Sequence, residues 1–251
     1  MTDYPSRPAR IVDLFAPREN PCGIADTLSQ LAKALKPPLV LTGSLAVGRH
    51  ASRNGAQVEE RLANDIDIVV NDTSDLPSHL CSNFLVSHFH PSRRDGRILW
   101  QLVDEIRRVR IDVFTPASSS LMSRTQGAEV LGIVCRVVAA EDLIAKLVAI
   151  LCSVIGGKHA DPKHYESLNV LSRFANLDAA SELWADYTKP EYPQSFVEAV
   201  SAVHRGIRKH PETLRKDVYC TDLEKKCPWC EPNNLFQLSP PAKILEVLGY
   251  V

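Results

Sequence analysis

The stretch Asn64-Asp65-Ile66-Asp67-Ile68-Val69-Val70 carries two patterns at once. Its β-branched run predicts a strand, and the two-residue period of a strand sets Asp65 and Asp67 on one face and Ile66 and Ile68 on the other, toward a core. Two carboxylates on one face repel each other, and such a pair is best tolerated where cations compensate it. Oxygen ligands of this hardness suit Mg²⁺ or Mn²⁺. The competing reading of the same residues is an exposed strand end with two solvated acids.

Working outward, Leu39-Val40-Leu41-Thr42 reads as a short buried strand broken by Gly43. The sequence Leu41-Thr42-Gly43-Ser44-Leu45-Ala46 then describes a strand, a turn and a helix start. Glycine allows close backbone approach, free N–H groups at a helix start suit phosphate oxygens, and Ser44 adds a hydroxyl. Taken alone, Gly-Ser after a strand is more often only a turn. Before it, residues 24–36 place apolar side chains at helical spacing until Pro37 and Pro38 stop them. After it, Phe84–His90 and Ile98–Val103 read as strands joined by a hairpin loop over 91–96.

A further strand is predicted at Arg110-Ile111-Asp112-Val113-Phe114, closed by Pro116. Val109, Ile111 and Val113 form one face, leaving Arg110 and Asp112 on the other. An acid inside such a strand needs a partner, a metal or an open face. Arg110 is one answer. The other sets Asp112 beside Asp65 and Asp67 on a neighbouring strand, as third carboxylate of a two-metal site and base for an attacking hydroxyl.

Beyond about residue 125 the texture changes. Ile133–Val138 reads as one more strand, and Ala140-Glu141-Asp142 opens a helix with Leu143, Ile144, Leu147, Val148 and Leu151 along one side. Helical patterns continue over 161–175, 178–187 and 193–207. The expected architecture is α/β: a mixed-sheet core with an N-terminal helix over 1–125, a helical domain over 126–210, and a Cys-containing tail over 211–251.

Composition narrows the function classes. With 29 Lys+Arg against 30 Asp+Glu the formal charge is -1, so any polyanion must be met by a local patch. No apolar run reaches the ~20 residues of a membrane span, and the N-terminus lacks a basic-then-apolar signal design. These features read as a cytoplasmic chain without a membrane partner. Of seven cysteines, Cys135 and Cys152 sit in apolar runs and read as buried thiols. Cys220, Cys227 and Cys230 crowd together. Their Cys-x-x-Cys spacing suits tetrahedral Zn²⁺ with His210 or His204 as fourth ligand, against a reading as reduced thiols of a packing segment.

Gly-Ser, then Asp-x-Asp, then a lone Asp on a later strand resembles the nucleotidyltransferase superfamily of the DNA polymerase β type. Ala140-Glu-Asp-Leu-Ile-Ala-Lys-Leu-Val-Ala149 and Gly157-Lys-His-Ala-Asp-Pro-Lys-His-Tyr165 look like the helical segment of the AbiEii/MenT-like bacterial nucleotidyltransferases. The resemblance covers roughly 30–175 and consists of short motifs. Thr42-Gly43 stands where many relatives carry Gly-Gly, and the interval from Ser44 to Asp65 is longer than usual. The excess is expected to loop out around His50–Glu60, with Arg49, Arg53 and Arg61 facing substrate.

The resemblance implies that Asp65 and Asp67 bind two Mg²⁺ (or Mn²⁺) ions and that Asp112 binds the catalytic one. Gly43 and Ser44 would hold the β- and γ-phosphates of an NTP such as ATP. Lys146 would contact the triphosphate, or else snorkel on the surface of its helix. The implied reaction is transfer of NMP to an acceptor hydroxyl with release of pyrophosphate. By analogy with the toxin–antitoxin members, the acceptor is the 3′ end of a tRNA and an antitoxin protein is a partner. Arg93, Arg94 and Arg97 and the group Arg107, Arg108 and Arg110 are the candidate RNA contacts, although a solvated hairpin face explains them as well. Small molecules and proteins are the other acceptors known for such a fold, and a catalytically silent nucleotide- or RNA-binding module is the alternative.

Overall fold

The computed structural model describes residues 21–56, 65–72, 75–77, 79–89, 98–104, 106–107 and 109–215. Seven strands form one mixed sheet: β1 (Val40–Thr42), β2 (Asp65–Val69), β3 (Leu85–Phe89), β4 (Ile98–Asp104), β5 (Val109–Phe114), β6 (Gln126–Val130) and β7 (Ile133–Val137). Their order across the sheet is β3-β4-β5-β2-β1-β7-β6. β2 runs parallel to β5 and β1 parallel to β7, while β1–β2, β3–β4, β4–β5 and β6–β7 are antiparallel. The chain is α/β, as its pattern predicts.

The sheet continues past the boundary expected at residue 125. The hairpin of β6 and β7 completes its far edge, and β7 pairs directly with β1. Leu131 and Gly132 both take positive φ at its two-residue turn, the backbone a tight hairpin demands.

The first helix, α1 (Pro21–Ala34), packs against β2, β5 and β7. Its polar edge is tied to the β4–β5 turn. Thr27 Oγ1 donates to Asp104 Oδ2 at 2.7 Å, and Arg107 reaches Asp104 at 3.0 Å, Gln30 at 3.3 Å and Asp26 at 3.6 Å. Arg107 thus clamps α1 to the β4–β5 turn.

Helix α2 (Gly43–Arg53) starts directly at the end of β1. The loop-out expected over His50–Glu60 is corrected in its first part, where the helix runs through Arg53 and His50 is buried with Nε2 2.8 Å from the Val138 carbonyl oxygen; residues 57–60 lie outside the described residues. Arg53 Nη1 donates to Gln126 Oε1 at 3.3 Å, and Arg49 is half-buried. Arg61 lies outside the described residues.

After the single turns α3 (Leu80–Asn83) and α4 (Leu121–Arg124), the second half is helical: α5 (Ala140–Leu151), α6 (Pro162–Leu171), α7 (Leu177–Glu182), α8 (Trp184–Tyr187) and α9 (Phe196–Lys209). Asp161 caps α6 by accepting from Lys163 N, and Asn176 caps α7. α5 is the hub, touching α2, α6, α7, α8 and α9. One cluster of buried apolar side chains runs from Ile24 through the strands to Ile207, so helices and sheet share a core.

One of the buried acids is wholly enclosed by that core. Asp142 on α5 is 0% exposed and receives Arg124 Nε at 2.9 Å, Arg124 Nη2 at 2.7 Å and the Tyr187 hydroxyl at 2.8 Å. The forked pairing ties α4, α5 and α8 together. Cys135 and Cys152 are buried thiols, and burial raises the pKa of each.

Candidate metal centre

A polar row crosses four neighbouring strands of the sheet. Gln101 on β4 is the register partner of Asp112 on β5, Asp112 of Asp67 on β2, and Asp67 of Thr42 on β1. In the same register Asp65 pairs with Arg110. Ile66, Ile68, Ile111 and Val113 take the opposite face and are fully buried, which leaves the acids no other side to occupy.

Asp65, Asp67 and Asp112 each offer a carboxylate oxygen, all within 4.8 Å of one another. Among the described residues this is the one group of His, Cys, Asp and Glu side chains able to hold a metal ion. The two neighbourhoods expected for Asp112 occur together. It stands beside Asp65 and Asp67, and it also pairs with Arg110, whose Nη2 lies 3.1 Å from Asp112 Oδ2 while donating to Asp65 Oδ2. Gln101 Nε2 donates to Asp112 Oδ1 at 3.0 Å.

The electrostatics are those of an anion-rich, largely buried site. Burial, then the charges of Asp65 and Asp112, push Asp67 up to about 7 against the pull of Lys146 and Arg110. Burial also raises Asp112, opposed by Arg110 and by the hydrogen bond from Gln101. Arg110 and Lys146 therefore offset only part of the burial and mutual repulsion of these acids.

Lys146 does not point outward from α5. Its Nζ lies 4.0 Å from the centroid of the Phe114 ring, which shares a strand face with Asp112. Burial lowers its pKa, while Asp67 and Asp112 act to raise it. His164 on α6 is pushed down to about 4 by burial first, then by the nearby charge of Lys163, with Lys146 and Asp65 also felt.

Gly43 opens α2 with φ of 62°. A Cβ at this position would stand 2.6 Å from Asp67 Cγ, inside contact distance. Glycine is thus required twice, by its left-handed backbone and by the carboxylate that fills the space of its missing side chain. Ser44, next along, is exposed. The N-terminal turn of an 11-residue helix therefore begins against the carboxylates.

Other predicted site residues lie elsewhere or outside the described chain. Cys220, Cys227 and Cys230 are outside it, as are Arg93, Arg94, Arg97 and Arg108. His210 is exposed with Nδ1 3.1 Å from Glu212 Oε1, and His204 Nδ1 is 2.9 Å from the Tyr165 hydroxyl. Arg110 is buried among the acids rather than on a solvated hairpin face. Gln101 and His164 were not anticipated. A lone Gln in the apolar run 98–103 is the signal that marks the first, whereas nothing local marks the second.

No helix among the described residues is long and apolar enough to cross a membrane. No protein-family model matches the chain, and no curated protein matches it.

Proposed function

We propose that the chain is a metal-dependent nucleotidyltransferase that moves NMP from an NTP to an acceptor hydroxyl and releases pyrophosphate. The observation that carries this reading is the convergence of Asp65, Asp67 and Asp112 from two parallel strands beside the glycine-started turn of α2. The donor set is hard oxygen throughout, which fits Mg²⁺ or Mn²⁺. Burial, with the charges of Asp65 and Asp112, raises the pKa of Asp67, and a bound cation would relieve that crowding.

Asp65, Asp67 and Asp112 would hold the metal. Bound there, divalent ions supply charge neutralisation for the attacking and leaving oxygens. The residues of the chain do the rest by position. Free N–H groups at Gly43 and Ser44 suit the β- and γ-phosphates, with the helix dipole of α2 adding to the attraction. Lys146 faces the same space from α5 and suits a phosphate oxygen. Asp112, which accepts a hydrogen bond from Gln101, would take the acceptor hydroxyl's proton. The new O–P bond forms at the α-phosphorus as the bond to pyrophosphate breaks, in line. The nucleotidyltransferase-type core, the tRNA acceptor and an antitoxin partner follow from the resemblance of the motifs. A zinc ion on the tail cysteines rests on their spacing alone.

The test is pyrophosphate release with each labelled NTP, Mg²⁺ or Mn²⁺, and total tRNA, wild type beside Asp67→Asn. Label on RNA with wild type alone supports the full reading, and label on protein or a small molecule keeps the chemistry and removes the RNA. Absence of release with every NTP and acceptor mixture defeats it. A second reading has one observation in its favour: Arg110 pairs with two of the three acids, as in a silent nucleotide-binding module whose carboxylates are permanently neutralised. Magnesium-dependent NTP binding without turnover would select that reading.

A further inference from the structure

The carboxylate cluster already contains a cation, and it belongs to the chain. Arg110 Nη2 donates to Asp65 Oδ2 and stands 3.1 Å from Asp112 Oδ2, so one nitrogen is shared by two of the three acids. The Arg110 side chain is 8% exposed, which keeps solvent from weakening either pairing. Gln101 occupies the other oxygen of Asp112. The Asp112 oxygen that Gln101 leaves untouched is the one turned to Arg110. Register enforces this: Arg110 is the cross-strand partner of Asp65, and Asp112 follows it two residues later on the same face.

A divalent ion and a guanidinium nitrogen drawn to the same pair of oxygens repel each other at such short range. We propose that Arg110 is a displaceable internal counter-ion, competing with the divalent cation for Asp65 and Asp112 and surrendering both when the cation binds. The inference rests on reading the cluster as a metal centre. Without metal, Arg110 makes three crowded acids tolerable. With metal it is no longer needed there, while Lys146, held over Phe114, continues to face Asp67 and Asp112. Affinity for metal is accordingly set below what the three carboxylates alone would give.

Mn²⁺ is titrated into the full chain at pH 8 and the free ion read by electron paramagnetic resonance, for wild type, Arg110→Met and Arg110→Lys. Arg110→Met is expected to bind Mn²⁺ about tenfold tighter or more, since an adjacent opposite charge shifts a carboxylate's proton affinity by roughly one to three decades. Arg110→Lys, still charged, is expected to stay nearer to wild type. In parallel, the arginine side-chain ¹⁵N resonances of wild type are followed as Mg²⁺ is added, and the Arg110 signal is expected to move as the site fills. Wild-type or weaker affinity in a folded Arg110→Met protein overturns the proposal, as does a Mg²⁺-saturated wild type whose Arg110 signal stays put. If Arg110→Met does not fold, the resonance experiment decides by itself. Mn²⁺ bound by neither protein overturns the metal centre and the proposal together, whereas binding by wild type without gain in the variant overturns the proposal alone.

Discussion

Two clusters of buried acid stand on the same face of the molecule's logic and differ in one respect. Asp142 is sealed, with a forked arginine and a tyrosine hydroxyl using its oxygens, and it joins three helices. Asp65, Asp67 and Asp112 are crowded, share one arginine nitrogen between two of them, and leave Asp67 half-buried with its pKa pushed up to about 7. An acid that is fully paired holds structure together. Three acids that are incompletely paired weaken the fold locally, and a bound cation would offset that cost.

The largest expected effect separates the two clusters by activity. Asp67→Asn should lower nucleotidyl transfer about 10³-fold or more, the scale on which a lost charge-stabilising group acts. The same variant should be more stable than wild type at pH 8 without metal, because it removes like-charge repulsion. The native state holds the Asp67 proton to about pH 7, while the unfolded chain releases it near 3.8. That contribution to stability is present below 3.8 and gone above about 7. Urea unfolding between pH 4 and 8 reads the slope, and an unchanged slope in Asp67→Asn would contradict the assignment.

Arg124→Met should do the reverse, costing about 3–5 kcal/mol of stability by stranding a fully buried Asp142, with the Mn²⁺ affinity of the surviving folded protein near wild type. Denaturant titration checks the first part and Mn²⁺ binding the second. Gly43→Ala strains both regions' shared scaffold: left-handed φ and overlap with Asp67 should cost about 2 kcal/mol and also disturb the metal site. A substitution that left both stability and Mn²⁺ binding unchanged would mean that α2 starts elsewhere.

The smallest effect belongs to His164. Its unfolded pKa is near 6.5 and its native one about 4, so its contribution is complete above 6.5 and lost as pH falls through 4, opposite in sign to Asp67. His164→Gln should flatten this acid limb by about 1 kcal/mol, and urea midpoints from pH 4 to 7 measure it.

Much of the site was legible because strands alternate. Ile66 and Ile68, or Ile111 and Val113, declare the core side, and Asp65, Asp67 and Asp112 must then face away. That these two strands lie side by side in parallel is a long-range fact that no local pattern contains. The same holds for Arg124 and Tyr187, which meet Asp142 from 18 and 45 residues away. β6 escaped because Gln126-Gly-Ala-Glu-Val130 has little β-branched character and earns its place only by pairing with β7. The helix from Gly43 to Arg53 was mistaken for a loop beyond His50, whose burial depends on a carbonyl 88 residues later.

The polar row from Gln101 to Thr42 has a consequence for how such a chain can change. Strand side chains obey odd and even, so one residue inserted between Val109 and Asp112 would turn the carboxylate inward and bring an aliphatic side chain into the cluster. Two inserted residues would restore the sides but offset Asp112 from Asp67 by a full repeat. Loops between strands are free of this arithmetic. Length variation among descendants of this sequence should therefore stop at the edges of β2 and β5.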